Sequence, residues 1–154
     1  MTTWAAVAAC AGFLLGVLWM DLMFDSQLPA RADPVDEATL ASIAGYYHRA
    51  TTTAQPRGAL IAATMVALVA LLGLHGARGG TEGWVMAASA GLAGGPILLA
   101  WTRTVPAAVR LGRRTDPPAV QSRLARRIHR DHRLCLAGIA AFLALWLITG
   151  LSSN

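Results

Sequence analysis

Residues 134–151 read LCLAGIAAFLALWLITGL, 18 consecutive residues with no charged side chain and no proline. A bilayer core takes about 20 such residues when they form a helix. Lipid offers the backbone no hydrogen-bond partner, so a spanning segment must satisfy its own backbone groups as a helix or join a closed barrel. A Leu- and Ala-rich block of this length reads as a helix. Three further blocks have the same character: Trp4–Met20, Gly58–Leu74 and Gly83–Trp101, of 17, 17 and 19 residues. Four spans packed as one bundle follow, an all-α membrane protein with a single domain over 1–154.

Composition agrees. Of 154 residues 55% are apolar and 14% charged, with a mean hydropathy of +0.50. A soluble domain of this size needs more charge to cover its surface. All 13 cations are arginine, and nine of them lie between Trp101 and Leu134. Such a cluster could mark a nucleic-acid partner, but short arginine-rich loops beside spans mark the cytoplasmic side of a membrane protein. The segment between the first two blocks adds Arg31, Arg49 and Arg57; the hairpin between the second and third has only Arg78. The expected topology therefore has loops 25–57 and 102–133 cytoplasmic and both termini outside, in a bacterial cytoplasmic membrane. Val7-Ala8-Ala9-Cys10 has the small-residue pattern of a lipoprotein cleavage site, but no basic residue precedes it and the apolar run continues past the cysteine. Cys10 and Cys135 fall near opposite faces and should not pair.

Between the blocks, Asp33-Pro34-Val35-Asp36-Glu37 is a helix start, with Asp33 as cap and Pro34 at the first position. Leu40, Ile43, Ala44 and Tyr47 then share one face, which predicts an amphipathic helix lying on the inner membrane surface. Residues 51–56, Thr-Thr-Thr-Ala-Gln-Pro, break or kink it. The third block holds Gly94-Gly95-Pro96, where the proline should bend the helix; its pattern continues to Leu111-Gly112, a glycine terminator. Asp116-Pro117-Pro118 starts a helix that can run unbroken into the fourth block. Ala87, Gly91 and Gly95 recur every fourth residue, a stripe that allows close helix approach inside the bundle, in a homo-oligomer or in a larger membrane complex.

Polar residues concentrate at the inner ends of the blocks, where a cytoplasm-facing site is expected. Asp21 sits about a turn inside the boundary at a helix C-terminus, where the dipole disfavours a negative charge. A buried carboxylate needs a partner or protonation. Asp25 follows at i+4, and Arg103, Arg110 and Arg133 are candidate partners. An inter-helix ion pair that only fixes packing is the plainer alternative. His129 and His132 share a helix face and could hold a metal, but the surrounding arginines repel a cation and no second ligand motif exists. No cofactor is expected. Headgroup or water contacts, or acid–base work, are the other roles open to these histidines.

Thr102-Arg103-Thr104-Val105-Pro106, followed by a helix entered through Arg130, His132 and Arg133, resembles the anthrone-oxygenase-like family of small four-helix membrane proteins. The similarity covers the whole chain by helix order and specific residues from Arg103 to Arg133. The chain departs from the family pattern over Trp19–Asp25, and the asparagine often found after the Val-Pro element is missing. Some members oxidise polycyclic anthrones to quinones without a recognisable cofactor motif. The resemblance implies an oxygenase or oxidoreductase acting on a lipophilic aromatic molecule, with Asp21 and His132 handling protons and Arg103 and Arg133 stabilising a phenolate or enolate. The pocket would be lined by Trp19, Phe24, Asp25, Tyr47, His48 and His129. A non-catalytic accessory or lipid-binding subunit is the alternative. A proton-coupled transporter ranks behind both, because the outer half of the bundle is almost without polar groups.

Overall fold

The computed structural model describes residues 2–29, 34–53, 55–79 and 81–152. They form α1 (Thr2–Asp25), α2 (Glu37–His48), a π-helical turn (Arg49–Thr53), α3 (Gln55–Ala77), α4 (Gly83–Leu99), a second π turn (Ala100–Thr104), α5 (Val105–Arg113) and α6 (Pro118–Ser152). Four continuous helical stretches, 3–25, 56–77, 83–113 and 118–151, are long and apolar enough to cross a membrane. The chain is an all-α four-helix membrane bundle, and no strand occurs among the described residues.

Two apolar cores hold it together. In the spans, Val7, Ala11 and Leu14 of α1 meet Leu68 and Leu72 of α3, Ala93 of α4, and Ile139, Phe142 and Trp146 of α6. Trp4 and Trp146 lock the terminal ends of α1 and α6 by reciprocal bonds, each indole N–H donating to the other's backbone carbonyl at 3.2 and 3.1 Å. Trp4 is therefore a packing element as well as the interface anchor expected of it. At the other end, Ile43, Ala44, Tyr46 and Tyr47 of α2 pack on Ala107, Ala108 and Leu111 of α5 and on Ala125 and Ile128 of α6. The apolar face of α2 is thus covered by protein, where a membrane-surface helix was expected. The covering partner is α5, an amphipathic helix outside the four apolar blocks. The 35 residues of α6 rise about 52 Å, which carries its arginine-rich first half well past the roughly 30 Å of a hydrocarbon core.

Several local expectations shift. Asp33 and Arg31 lie outside the described residues; Asp36 caps α2, accepting from the Thr39 N–H at 2.9 Å. That bond holds the Asp36 carboxyl below the usual carboxylate range. Pro34 precedes the helix instead of opening it. The break after α2 is the π turn Arg49–Thr53, and α4 passes through Pro96 into the π turn at Ala100–Thr104. Gly112 does not end α5. It is buried against the α2 backbone, where a Cβ would lie 2.9 Å from His48 N, and Arg114 takes the left-handed terminating conformation at φ 52°.

The stripe Ala87, Gly91 and Gly95 faces outward, with nothing near Gly91 or Gly95. Close approach occurs instead at Gly138 on α6, where an added Cβ would come within 2.6 Å of Pro96 Cγ and 3.2 Å of Leu92 O. Gly138→Ala should accordingly destabilise the bundle by about 1–3 kcal/mol through overpacking. Gly91→Ala should be neutral or stabilising by up to about 1 kcal/mol. Thermal unfolding in mild detergent, followed by circular dichroism, ranks the two; equal midpoints would show that α4 and α6 do not meet at Gly138.

Candidate functional site

Asp21 and Asp25 stand one helical turn apart at the end of α1 and face the same way, as i and i+4 must. Asp25 is fully buried. One of its carboxylate oxygens accepts the Tyr47 hydroxyl at 2.6 Å, and the other faces His132 Nδ1 at 2.8 Å. The Tyr47 oxygen is also 3.4 Å from the same imidazole nitrogen. In a neutral ring whose Nδ1–H donates to that carboxylate, the lone pair is on Nε2. Burial, with the Asp25 charge adding to it, pushes the Tyr47 phenol far above its ordinary range, so it remains a donor.

Asp21 anchors a second set. Its Oδ1 accepts from Arg57 Nη2 at 2.9 Å and from the Tyr46 hydroxyl. The same arginine nitrogen donates to the Tyr46 oxygen at 2.7 Å. Phe24 stacks on Tyr46 with ring centroids 3.9 Å apart, and the Arg57 guanidinium lies 5.4 Å from the Tyr46 centroid. Tyr46, like Tyr47, is raised by burial first and the neighbouring carboxylate second. The two sets approach at one gap: His132 Nε2 lies 4.0 Å from Asp21 Oδ2.

Beside that gap is a cavity of about 440 Å³. Its polar end is Asp21, Tyr47, Arg57 and His132; its walls are apolar, among them Leu14, Ile61, Met65, Ile97 and Ile139. Both π turns contribute to the wall, through Ala50 and Thr51 and through Ala100, Trp101 and Thr104. Single π turns recur at functional sites because they re-aim side chains without ending a helix. The exposed wall residues Gly58, Trp101 and Val105 mark where the cavity opens, between α3 and the α4–α5 stretch.

Asp21, Asp25, Tyr47 and His132 thus come together, with Phe24 behind Tyr46. The other expected members do not join them. Arg103 and Arg133 are exposed, as are Trp19 and His48. Arg110 instead pairs with Asp116 at 2.7 Å. His129 is half-buried on a neighbouring face of α6, and its Nδ1 has no partner among the described residues. Among the described residues no three His, Cys, Asp or Glu side chains converge where a metal ion could bind. Cys10 and Cys135 are both free thiols. The cation of the site is Arg57, which sequence reading counted only as a loop charge. Its position directly after Pro56, at the mouth of an apolar block and at the depth of Asp21, was the available signal. Comparison with known proteins finds no matching family model, no matching curated protein and no matching solved structure.

Two outcomes follow. Asp25→Ala strands the Tyr47 hydroxyl and the His132 N–H in a buried site and should cost about 3 kcal/mol, read as a lowered unfolding midpoint; an unchanged midpoint would remove Asp25 as a structural centre. The second concerns alkaline pH. The folded state keeps its two tyrosine protons above the free-phenol range near about 10, where the unfolded chain loses them, so stability must fall as pH rises beyond it. With only two tyrosines and no lysine in the chain, the Tyr46→Phe/Tyr47→Phe double variant should flatten that slope. A slope that persists in the double variant would place its origin elsewhere.

Proposed function

We propose that this chain binds a flat lipophilic molecule in the cavity and takes a proton from it at His132 Nε2, as an oxygenase or oxidoreductase of the anthrone-oxygenase-like kind. The observation that carries this is the Asp25–His132 pair at 2.8 Å, made through Nδ1 by a histidine that lines a largely apolar cavity. A carboxylate behind an imidazole fixes its tautomer and supports the imidazolium that forms on proton transfer. Arg57 replaces Arg103 and Arg133 as the group that stabilises a developing oxyanion. Both of its bonds to the cluster use Nη2, so its other N–H groups face no acceptor among the described residues. Asp21 serves to orient Arg57, not to move protons, because Arg57 and Tyr46 already hold it.

In the proposed reaction a molecule with a CH2 flanked by aromatic rings loses one proton to His132 from the hydroxyl of its enol form. That form presents an O–H to Nε2 and yields the same anion as loss from the CH2. The resulting carbanion, stabilised as an enolate, gives electrons to dioxygen. The carbon ends as a carbonyl carrying one oxygen atom, and the other leaves as water. The orientation we propose places the site on the cytoplasmic side, with loops 25–57 and 102–133 there and both termini outside, on the strength of the arginine asymmetry. The second reading, a non-catalytic lipid-binding or accessory subunit, draws on one feature: Asp21 Oδ1 is already held by both Arg57 and Tyr46.

The test is oxygen consumption and quinone formation by the purified protein in lipid nanodiscs supplied with an anthrone. His132→Ala should lower the rate by about 10²–10⁴-fold and Arg57→Ala by about 10²-fold or more. His75→Ala, at the far end of the bundle, should leave it unchanged. No turnover above protein-free nanodiscs, or equal loss in all three variants, would hand the site to the lipid-binding alternative.

A further inference from the structure

The gap between Asp21 Oδ2 and His132 Nε2 has a chemistry of its own. Both atoms are acceptors when the imidazole is neutral, and they sit 4.0 Å apart. Among the described residues no hydrogen-bond donor reaches Oδ2: the Arg57 and Tyr46 donors both go to Oδ1. A protonated Nε2 would not close the gap either, since 4.0 Å exceeds hydrogen-bond range. Two acceptors that far apart suit a head that supplies two donor hydrogens, one to each.

Charge narrows the head group further. With the ring neutral, as an accepting Nε2 requires, the charged groups of the cluster are Asp21, Asp25 and Arg57, one cation against two anions. The side chains facing His132 from α1 and α2 are those two carboxylates and the Tyr47 hydroxyl; from α3 comes Arg57; and the α4–α5 wall offers Thr104 with no charge. A neutral head leaves the net charge at one negative, and proton transfer to His132 does not change that total. A head already ionised adds a second negative charge in a low-dielectric site, where like charges repel strongly.

We infer that the cavity selects a ligand whose head is uncharged and carries paired hydrogen-bond donors, such as two adjacent hydroxyls, and that it refuses the corresponding anion. This rests on the cavity being a ligand site as proposed above, and it names the class of molecule admitted. Arg57 is compatible with it, because the oxyanion it would meet arises inside the site together with the imidazolium.

Calorimetric titration of the purified protein in nonionic detergent tests this, with a 4-alkylcatechol, a 4-alkylphenol and the carboxylate anion of a 4-alkylbenzoic acid, all of equal chain length. Each titration is referenced to protein-free micelles. At neutral pH the catechol should bind about tenfold or more tightly than the benzoate, with the phenol between them. In Asp21→Asn, checked for an unchanged helical spectrum, the catechol–benzoate gap should shrink to about threefold or less, because a negative charge and an acceptor are lost together. Partition into the micelle is common to both proteins and cancels from that comparison. Benzoate binding as tightly as catechol to the wild-type chain would overturn the inference, as would binding of none of the three. A phenol equal to the catechol would overturn the paired-donor requirement. The wild-type ranking decides by itself if Asp21→Asn does not fold, and an unchanged ranking in a folded Asp21→Asn would exclude Asp21 as the selecting group. A protein that ranks the probes as expected but never oxidises an anthrone keeps this inference and loses the catalytic one. Turnover accompanied by tight benzoate binding does the reverse.

Discussion

A carboxylate with no solvent exposure at the end of a membrane-spanning helix is the constraint around which this bundle is arranged. Asp25 is too costly to bury alone, and the fold answers with a donor from each of two other elements, Tyr47 of α2 and His132 of α6. Those bonds tie together helices from the start, the first third and the last third of the chain. One turn earlier Asp21 does the same for α1, α2 and α3 through Tyr46 and Arg57. The two tyrosines are consecutive, so α2 reaches both carboxylates from a single turn. Removing α2 would take one donor from each acid, leaving Asp25 with His132 alone and Asp21 with Arg57 alone.

The polar cluster sits at the junction of the two cores. On α6, His132 falls between Ile128, which packs in the α2–α5 core, and Ile139, which packs in the spans. Such a junction cannot be filled by continuous ridge-and-groove packing, because α3 and α4 must give way to the connections that lead into α2 and α5. Both connections are π turns, and both line the cavity. The cavity is therefore a consequence of joining a membrane bundle to the helical layer of α2 and α5 at one of its ends, and its polar end gathers Asp21, Tyr47, Arg57 and His132.

Most of the fold was legible in the sequence, because lipid turns helix assignment into a nearly one-dimensional problem: a charge-free block of sufficient length has few other ways to satisfy its backbone. The concentration of acids, histidines and tyrosines at one end of the bundle was legible for a related reason, since such groups are kept out of hydrocarbon unless paired. Partner identity was not. Arginines lie at the site's end of α3, of the α4–α5 stretch and of α6, and composition gives Arg103, Arg110, Arg133 and Arg57 equal standing; only the packing of α3 against α1 singles out Arg57. Helical phase could have removed other candidates. Trp19 lies two residues, about 200°, from Asp21 on α1, and Arg133 about 100° from His132 on α6, so neither could share its neighbour's direction. The covering of α2 by α5 was hidden because an amphipathic helix reads the same whether lipid or protein takes its apolar face.

The division of roles within the cluster follows from how fully each acid is occupied. A carboxylate oxygen already accepting from Arg57 and Tyr46 would have to give up those bonds to take a proton. Asp25 is still less available, being fully buried with both oxygens engaged. His132 Nε2 is the remaining basic atom that faces the cavity, and its ring is already oriented by the bond behind it. Any proton chemistry at this site thus runs through one nitrogen, with the carboxylates acting on it through space and through Nδ1. Charge conservation then ties the chemistry to the occupant: a neutral head can lose its proton to His132 without changing the net charge of the buried cluster, whereas an anionic head brings a charge that nothing else in the cluster balances.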